Sequence, residues 1–331
     1  MTRVGSPDVH NGTTARWWSL PRAVDKRVVV LAWASFVVEV VLIGTGGLVR
    51  LTASGLGCPT WPRCTSDSLV STPEMGVHGV IEFGNRLLTF ALVVVAIAMF
   101  LAVVRMRRTR PELFWLAFAQ GAAIPVQAVI GGLSVLTNLN PYVVGLHFVV
   151  SMALTAVTAT LVYRASNGPA TEHRRVPGWW VGVVRGTVAA TVVTVLLGIL
   201  TTGSGPHAGA STAVDGGRLH RTGLDPAILQ HVHAVPAYVL FALTLVLVVT
   251  AVRLQVSSRW PLTLLVVEFL QIAVGLTQAR MHLPVGLVGT HMVLAGLLVA
   301  AMTCVALSTR TSAGRDAVRT APSAAREAVS A

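Results

Sequence analysis

Residues 87–104 read Leu87-Leu88-Thr89-Phe90-Ala91-Leu92-Val93-Val94-Val95-Ala96-Ile97-Ala98-Met99-Phe100-Leu101-Ala102-Val103-Val104, eighteen positions without a charge, and Arg105 ends the run. A bilayer core takes about 20 helical residues to cross. Extended back to His78, this stretch is long enough to do so. Seven other segments have the same character, giving eight in all, over about 28–49, 78–104, 112–136, 142–163, 179–202, 228–252, 261–281 and 286–308. The whole chain of 331 residues is 53% hydrophobic and 11% charged, with a mean hydropathy of +0.71. That balance excludes an ordinary soluble domain and fits a polytopic membrane protein. Lipid cannot satisfy open backbone groups, so the spans must be helices. The first segment lacks a small-residue cleavage site and is expected to be a retained helix.

Positive charge sets the expected orientation. Arg3, Arg16, Arg22, Lys26 and Arg27 precede the first span. Arg105, Arg107, Arg108 and Arg110 follow the second, and Arg164, Arg174 and Arg175 follow the fourth. Arg253 and Arg259 lie between the sixth and seventh, and Arg310, Arg315, Arg319 and Arg326 follow the eighth. If all eight segments span, these eighteen share one side; the other receives Arg50, Arg63, Arg218, Arg221 and Arg280. Both termini are therefore expected in the cytoplasm. The net charge of +12 follows from topology and calls for no nucleic acid.

The chain also repeats itself. Gln127, Gly131 and His147 recur as Gln271, Gly275 and His291, each 144 positions later. Val144-Gly145-Leu146-His147 matches Val288-Gly289-Thr290-His291. Leu42-Ile43-Gly44 before Thr52-Ala53-Ser54-Gly55 matches Leu196-Leu197-Gly198 before Thr202-Gly203-Ser204-Gly205. The expected fold is an all-α polytopic membrane protein of eight transmembrane helices, arranged as two pseudo-symmetric four-helix bundles. The first bundle covers 28–163 and the second 179–308, with a cytoplasmic linker over 164–178. The tails, 1–27 and 309–331, are rich in Ala, Ser, Thr, Arg and Pro and are expected to be disordered.

Intramembrane polar residues are costly and point to function. Glu82, Asn85 and Arg86 share one face of the second helix, where a Glu82–Arg86 ion pair is the plain structural reading. His147 and His291 stand at equal depth in the fourth and eighth helices. His231 and His233 lie near the outer end of the sixth, and His78 opens the second. Neutral imidazoles on facing helices of a bundle make an axial pair for heme iron. His231 and His233 point to opposite sides of their helix. Aligning the halves puts His233 opposite Asn85 and Gln230 opposite Glu82, which favours His233 and keeps His231 in reserve. Pro125 and Pro236 are expected to kink their helices. His207, His220 and His282 fall in outer loops, where His207 lines a ligand edge or is solvated.

The first outer loop is Gly55-Leu56-Gly57-Cys58-Pro59-Thr60-Trp61-Pro62-Arg63-Cys64. It carries two of the three cysteines, with five residues between them. Outside the cytoplasm this pair is placed to form a disulfide or to exchange electrons. Cys304, in the last span, reads as a packing residue.

The stretch from Gly47 to Cys64, the Thr202–Gly209 motif and the paired histidines resemble bacterial heme A synthase across about 28–308. The resemblance implies an oxidoreductase of the cell membrane. It would oxidise a porphyrin methyl of heme O to a formyl by successive hydroxylations, giving heme A for terminal oxidases of the respiratory chain. It implies a heme b cofactor held in the second half by His233 and His291 through the heme iron, with His231 and His207 as further candidates. The substrate heme would lie in the first half near His147, Asn85, Arg86 and His78, with Glu82, Cys58 and Cys64 as catalytic candidates. The partners implied are heme O, the heme O synthase that supplies it, and membrane lipid; a homo-oligomer is compatible. Asn85 departs from the family, which has histidine there, and asparagine is a poor iron ligand. Either His147 alone holds the substrate iron, the favoured reading, or His78 reaches it after local rearrangement, about 10 Å along the helix from position 85. Glu82 would take a proton or stabilise charge, the cysteines would accept electrons or shape the rim, and Arg50 and Arg63 would pair with heme propionates. Two other classes share some of these features, a membrane b-type cytochrome that only carries electrons and a thiol–disulfide/quinone oxidoreductase.

Overall fold

A computed structural model describes residues 20–174, 176–207 and 221–312. The expectations placed on residues 1–19 and 313–331, on Arg175, Ala208, Gly209, Arg218 and His220, lie outside the described residues.

Eight helices follow one another: α1 (Lys26–Leu51), α2 (Gly76–Val103), α3 (Pro111–Leu136), α4 (Pro141–Asn167), α5 (Gly178–Ser204), α6 (Pro226–Arg253), α7 (Arg259–Arg280) and α8 (Val285–Leu307). All eight are long and apolar enough to cross a membrane. Their starts follow from local chemistry. Asp25 accepts the first backbone N–H groups of α1 from Arg27 and Val28. Asn140 and Asp225 do the same for α4 and α6, each followed by a proline whose missing N–H costs nothing there. Burial pushes the Asp25 carboxyl up, but the Arg27 side chain and the Val28 N–H outweigh it and hold it below its ordinary value. Pro125 and Pro236 lie inside continuous helices.

In the first half α1 and α3 each contact α2 and α4; in the second, α5 and α7 each contact α6 and α8. The halves meet where α1 and α4 pack on α8 and α4 packs on α5. Small residues let these backbones approach. Gly44 and Gly47 of α1 face Val293 and Met292 of α8, and Gly296 of α8 faces Ile43. Apolar layers close one end of each half. Val28, Ala32, Met99, Met106, Leu113 and Leu161 form one, and Trp180, Val184, Leu247, Leu264, Leu298 and Val305 the other. Cys304 is a buried free cysteine beside this second layer. Side chains such as Phe90, Val94 and Val266 are exposed on the outer faces, which suits hydrocarbon rather than water.

The tail from 309 departs from expectation at its start. Arg310–Ser312 (β2) pairs antiparallel with Ala170–Arg174 (β1) inside the linker, with Ala170 opposite Ser312. Both segments leave the same end of the bundle, from the contacting helices α4 and α8. Their short connections bring two unpaired backbones together, and pairing satisfies both.

Candidate functional site

The loop between α1 and α2 folds down onto the rim of the first half. Cys58 and Cys64 form a disulfide with a Cα–Cα distance of 4.4 Å, and both residues are fully buried. The loop is held from below. Glu82 accepts the backbone N–H of Cys58 on Oε2 at 2.6 Å and the Arg86 guanidinium on Oε1, also at 2.6 Å. Arg86 in turn donates to the carbonyls of Cys58 and Thr60, at 3.3 and 3.2 Å, and to that of Arg63. The ion pair read from the sequence is thus a clamp with its free valences spent on the loop backbone. Glu82 is 5% exposed, so the bond it accepts from Cys58 is made with little competition from water, while the Arg86 contact to Arg63 lies at the exposed edge.

Two glycines make this seating possible. Gly57 lies flush on the backbone of His78, and Gly132 of α3 lies flush on the indole of Trp61. A side chain at 132 would enter the Trp61 ring. Gly132→Leu is therefore expected to unseat the loop and cost about 1–3 kcal/mol. A lower melting temperature in detergent and faster alkylation of the reduced cysteines would register it; an unchanged protein on both counts would refute this packing.

The structure separates the other first-half candidates. His78 Nδ1 bonds to Ser54 Oγ at 2.8 Å at the rim. Asn85 Oδ1 accepts from Thr45 Oγ1 of α1 at 2.8 Å. His147 lies deeper, its Cε1 3.3 Å from where a Gly131 side chain would start, and its Nδ1 is buried without a hydrogen-bond partner. Gln127 ties His147 in place by donating to its carbonyl at 3.2 Å and to Ser151 Oγ at 2.7 Å.

The second half repeats this construction. Gln271 donates to the His291 carbonyl at 3.2 Å. Gly275 leaves room for the His291 ring at 3.1 Å, and His291 Nδ1 is again buried without a partner. Opposite it stands His233, with ring centroids 6.4 Å apart and planes at 74°. His233 Nδ1 meets the Thr194 carbonyl at 3.0 Å. A carbonyl only accepts, so Nδ1 carries the proton and Nε2 keeps its lone pair. Gly198 leaves space for this ring, a side chain there starting 3.0 Å from His233 Cε1. His231 is exposed and bonds to the Ala227 carbonyl of its own helix at 2.8 Å. His207 is engaged through Nε2 by the Leu283 carbonyl at 2.8 Å.

The pair suits a metal-bearing porphyrin chemically. One ring has its tautomer set by a backbone carbonyl, the usual device for orienting a metal-bound imidazole. A 6.4 Å separation leaves room for one metal atom between two nitrogens at about 2 Å each.

Two carboxylates went unread in the sequence. Glu39 of α1 is 4% exposed and Glu268 of α7 is 3% exposed. Glu268 Oε1 accepts from Thr244 Oγ1 at 2.7 Å, and its Oε2 is buried without a partner. Each stands as a lone charge inside an apolar run, a signal the sequence did contain.

Comparison with known proteins completes the picture. Residues 29–303 match the COX15-CtaA family model, described as cytochrome oxidase assembly protein. A heme A synthase of Exiguobacterium sibiricum is 28% identical over 228 residues, covering 68% of this chain and 74% of the relative. A heme A synthase of Bacillus pumilus is 34% identical over 139 residues, 40% of this chain and 43% of the relative. One of Geobacillus kaustophilus is 28% identical over 125 residues, 38% of each. The aligned stretch is thus less than half the length of the latter two. The matched region of the family model takes in α2 to α7 whole, most of α1 and α8, the clamped loop and both histidine sites, and on that ground the chain belongs to the COX15-CtaA family of cytochrome oxidase assembly proteins.

Proposed function

We propose that this protein is a heme A synthase, a multi-pass oxidoreductase of the bacterial cell membrane that converts heme O to heme A. Family membership and the named relatives support the activity. The observation that carries the cofactor reading is the His233–His291 pair, two imidazoles facing each other across the second half at 6.4 Å. These two would hold heme b, which supplies reversible one-electron transfer when bound. Thr194 would keep Nε2 of His233 available to the iron, and Gln271 would fix the helix turn that carries His291.

His147, braced by Gln127 in the same way, would hold or orient the substrate heme O in the first half. Asn85 is occupied by Thr45 and His78 stands about two turns earlier on α2, beside Ser54 of the rim, which supports His147 as the lone imidazole ligand there. Glu82 and Arg86 would position the disulfide over that half. The disulfide would then shape the rim or accept electrons from the site below. The charge bias supports a cytoplasmic location for both termini and an outer location for both histidine sites. A heme O synthase would supply the substrate. A pure electron carrier is disfavoured, because it would have no use for a second braced imidazole in the first half or for a clamped disulfide.

The test is expression in a host that makes heme O but no heme A, followed by chromatography of the extracted pigments. Heme A should appear. Heme O recovered unchanged beside bound heme b would leave only an electron carrier.

A further inference from the structure

Arg50 stands in the last turn of α1, a helix of the first half, but it reaches into the second. Its Nε donates to the His207 carbonyl at 2.9 Å. That carbonyl is held in place, since the His207 ring is itself bonded to the Leu283 carbonyl. Arg50 is 9% exposed, and its Nη2 is buried without a hydrogen-bond partner. Among the described residues the ion pairs of arginine are Arg27–Asp25, Arg86–Glu82 and Arg110–Glu112; none involves Arg50. The neighbouring turns of α1 run along the start of α8. Gly47 faces Met292, the residue after His291, and Leu51 lies 3.4 Å from where a Gly289 side chain would begin.

A buried guanidinium with an idle N–H is costly unless an anion meets it. The C-terminal end of α1 offsets part of that cost through its dipole, but a dipole does not fill a planar donor fork. The fork matches a carboxylate. Arg50 lies at the C-terminal end of α1, beside the turn of α8 that carries His291. A heme bound there carries two carboxylates on one edge. We infer that Arg50, supplied by the first half of the chain, binds a propionate carboxylate of the heme held by the second half. This rests on the heme-binding reading above. Arg63 does not share the role, because its guanidinium is on the exposed loop and donates to the Ser66 carbonyl.

The experiment compares wild type, Arg50→Gln and Arg50→Lys, each purified with its heme and also reconstituted with heme b dimethyl ester, which has no free carboxylate. Removing a buried cation favours ferric over ferrous heme. Arg50→Gln should therefore lower the midpoint potential, by about 59 mV for each tenfold change in the ferric-to-ferrous affinity ratio. It should also release heme to apomyoglobin about ten- to a hundredfold faster. Arg50→Lys should keep most of the potential but lose heme faster, having the charge without the fork. The ester should speed heme release from wild type as Arg50→Gln does, and add nothing to the release rate of Arg50→Gln; because it removes negative charge, it should raise the wild-type midpoint potential where Arg50→Gln lowers it. Equal potentials and release rates in wild type and Arg50→Gln would overturn the inference. So would an ester effect of full size on the release rate of Arg50→Gln, or an Arg50→Gln effect on release with none from the ester, which would assign the site to another anion such as a lipid phosphate. A wild-type protein with no Soret band would instead remove the heme-binding reading itself.

Discussion

Replacing His291 with alanine is expected to strip the second half of its heme b and to stop heme A formation. The same result is expected for His233→Ala. The two rings would hold the heme iron, and losing a supporting partner alone costs a metal site about 10–100-fold in affinity. Losing a ligand should cost more, so the low-spin Soret and α bands of the purified protein should vanish or fall at least tenfold. His231→Ala is the contrast. That side chain is exposed and tied to its own helix, so its removal should leave the spectrum intact. A full low-spin spectrum in His291→Ala would end the assignment of these two rings to the heme iron. Substituting Thr194 would be uninformative, because the His233 contact is to its backbone carbonyl.

The second large effect is expected at Glu82. Its carboxylate holds the Cys58 N–H and the Arg86 guanidinium together. Glu82→Ala removes the buried partner of a part-buried pair and leaves the Cys58 N–H and the Arg86 guanidinium without their acceptor, which costs about 1–3 kcal/mol. The loop should lift, the reduced cysteines should react faster with maleimide, and heme A yield should collapse, while heme b in the other half stays bound. Glu82→Gln separates two roles. The amide still accepts a hydrogen bond from Cys58 but neither carries charge nor takes a proton at neutral pH. If Glu82 acts on protons, the Gln variant should be as inactive as the Ala variant with its loop still seated. Near-normal heme A from Glu82→Gln would reduce the residue to a clamp. Cys58→Ser adds the matching test of the disulfide, since full activity in that variant would leave the loop a structural part.

The legible parts of the site were those carried by residue type and spacing. The 144-residue repeat marked Gln127, Gly131 and His147 with their counterparts Gln271, Gly275 and His291. Their shared geometry, a glutamine bonded to the histidine carbonyl and a glycine under the ring, is what such a repeat should preserve. The Glu82–Arg86 pair was legible because positions four apart share a helix face. What the pair grips was not. The partners of Arg86 are three backbone carbonyls of a loop more than twenty residues earlier, and carbonyls leave no trace in residue identity. The same limit hid the Thr194 carbonyl that orients His233. Thr45 as the partner of Asn85 was hidden differently, since a threonine in a membrane helix usually satisfies itself on its own backbone.

Eight membrane helices and an internal repeat 144 positions apart are written in the chain alone, because length, apolarity and spacing are local quantities and lipid reads the first two directly. Where the halves touch was decided only by the tertiary structure. Arg50 read in the sequence as an outer-surface arginine just past the first span, and its burial against the His207 turn of the other half depends on how α1 settles along α8 through Gly44 and Gly47. That contact joins residues more than 150 positions apart, and only side-chain packing between two finished helices could bring them together.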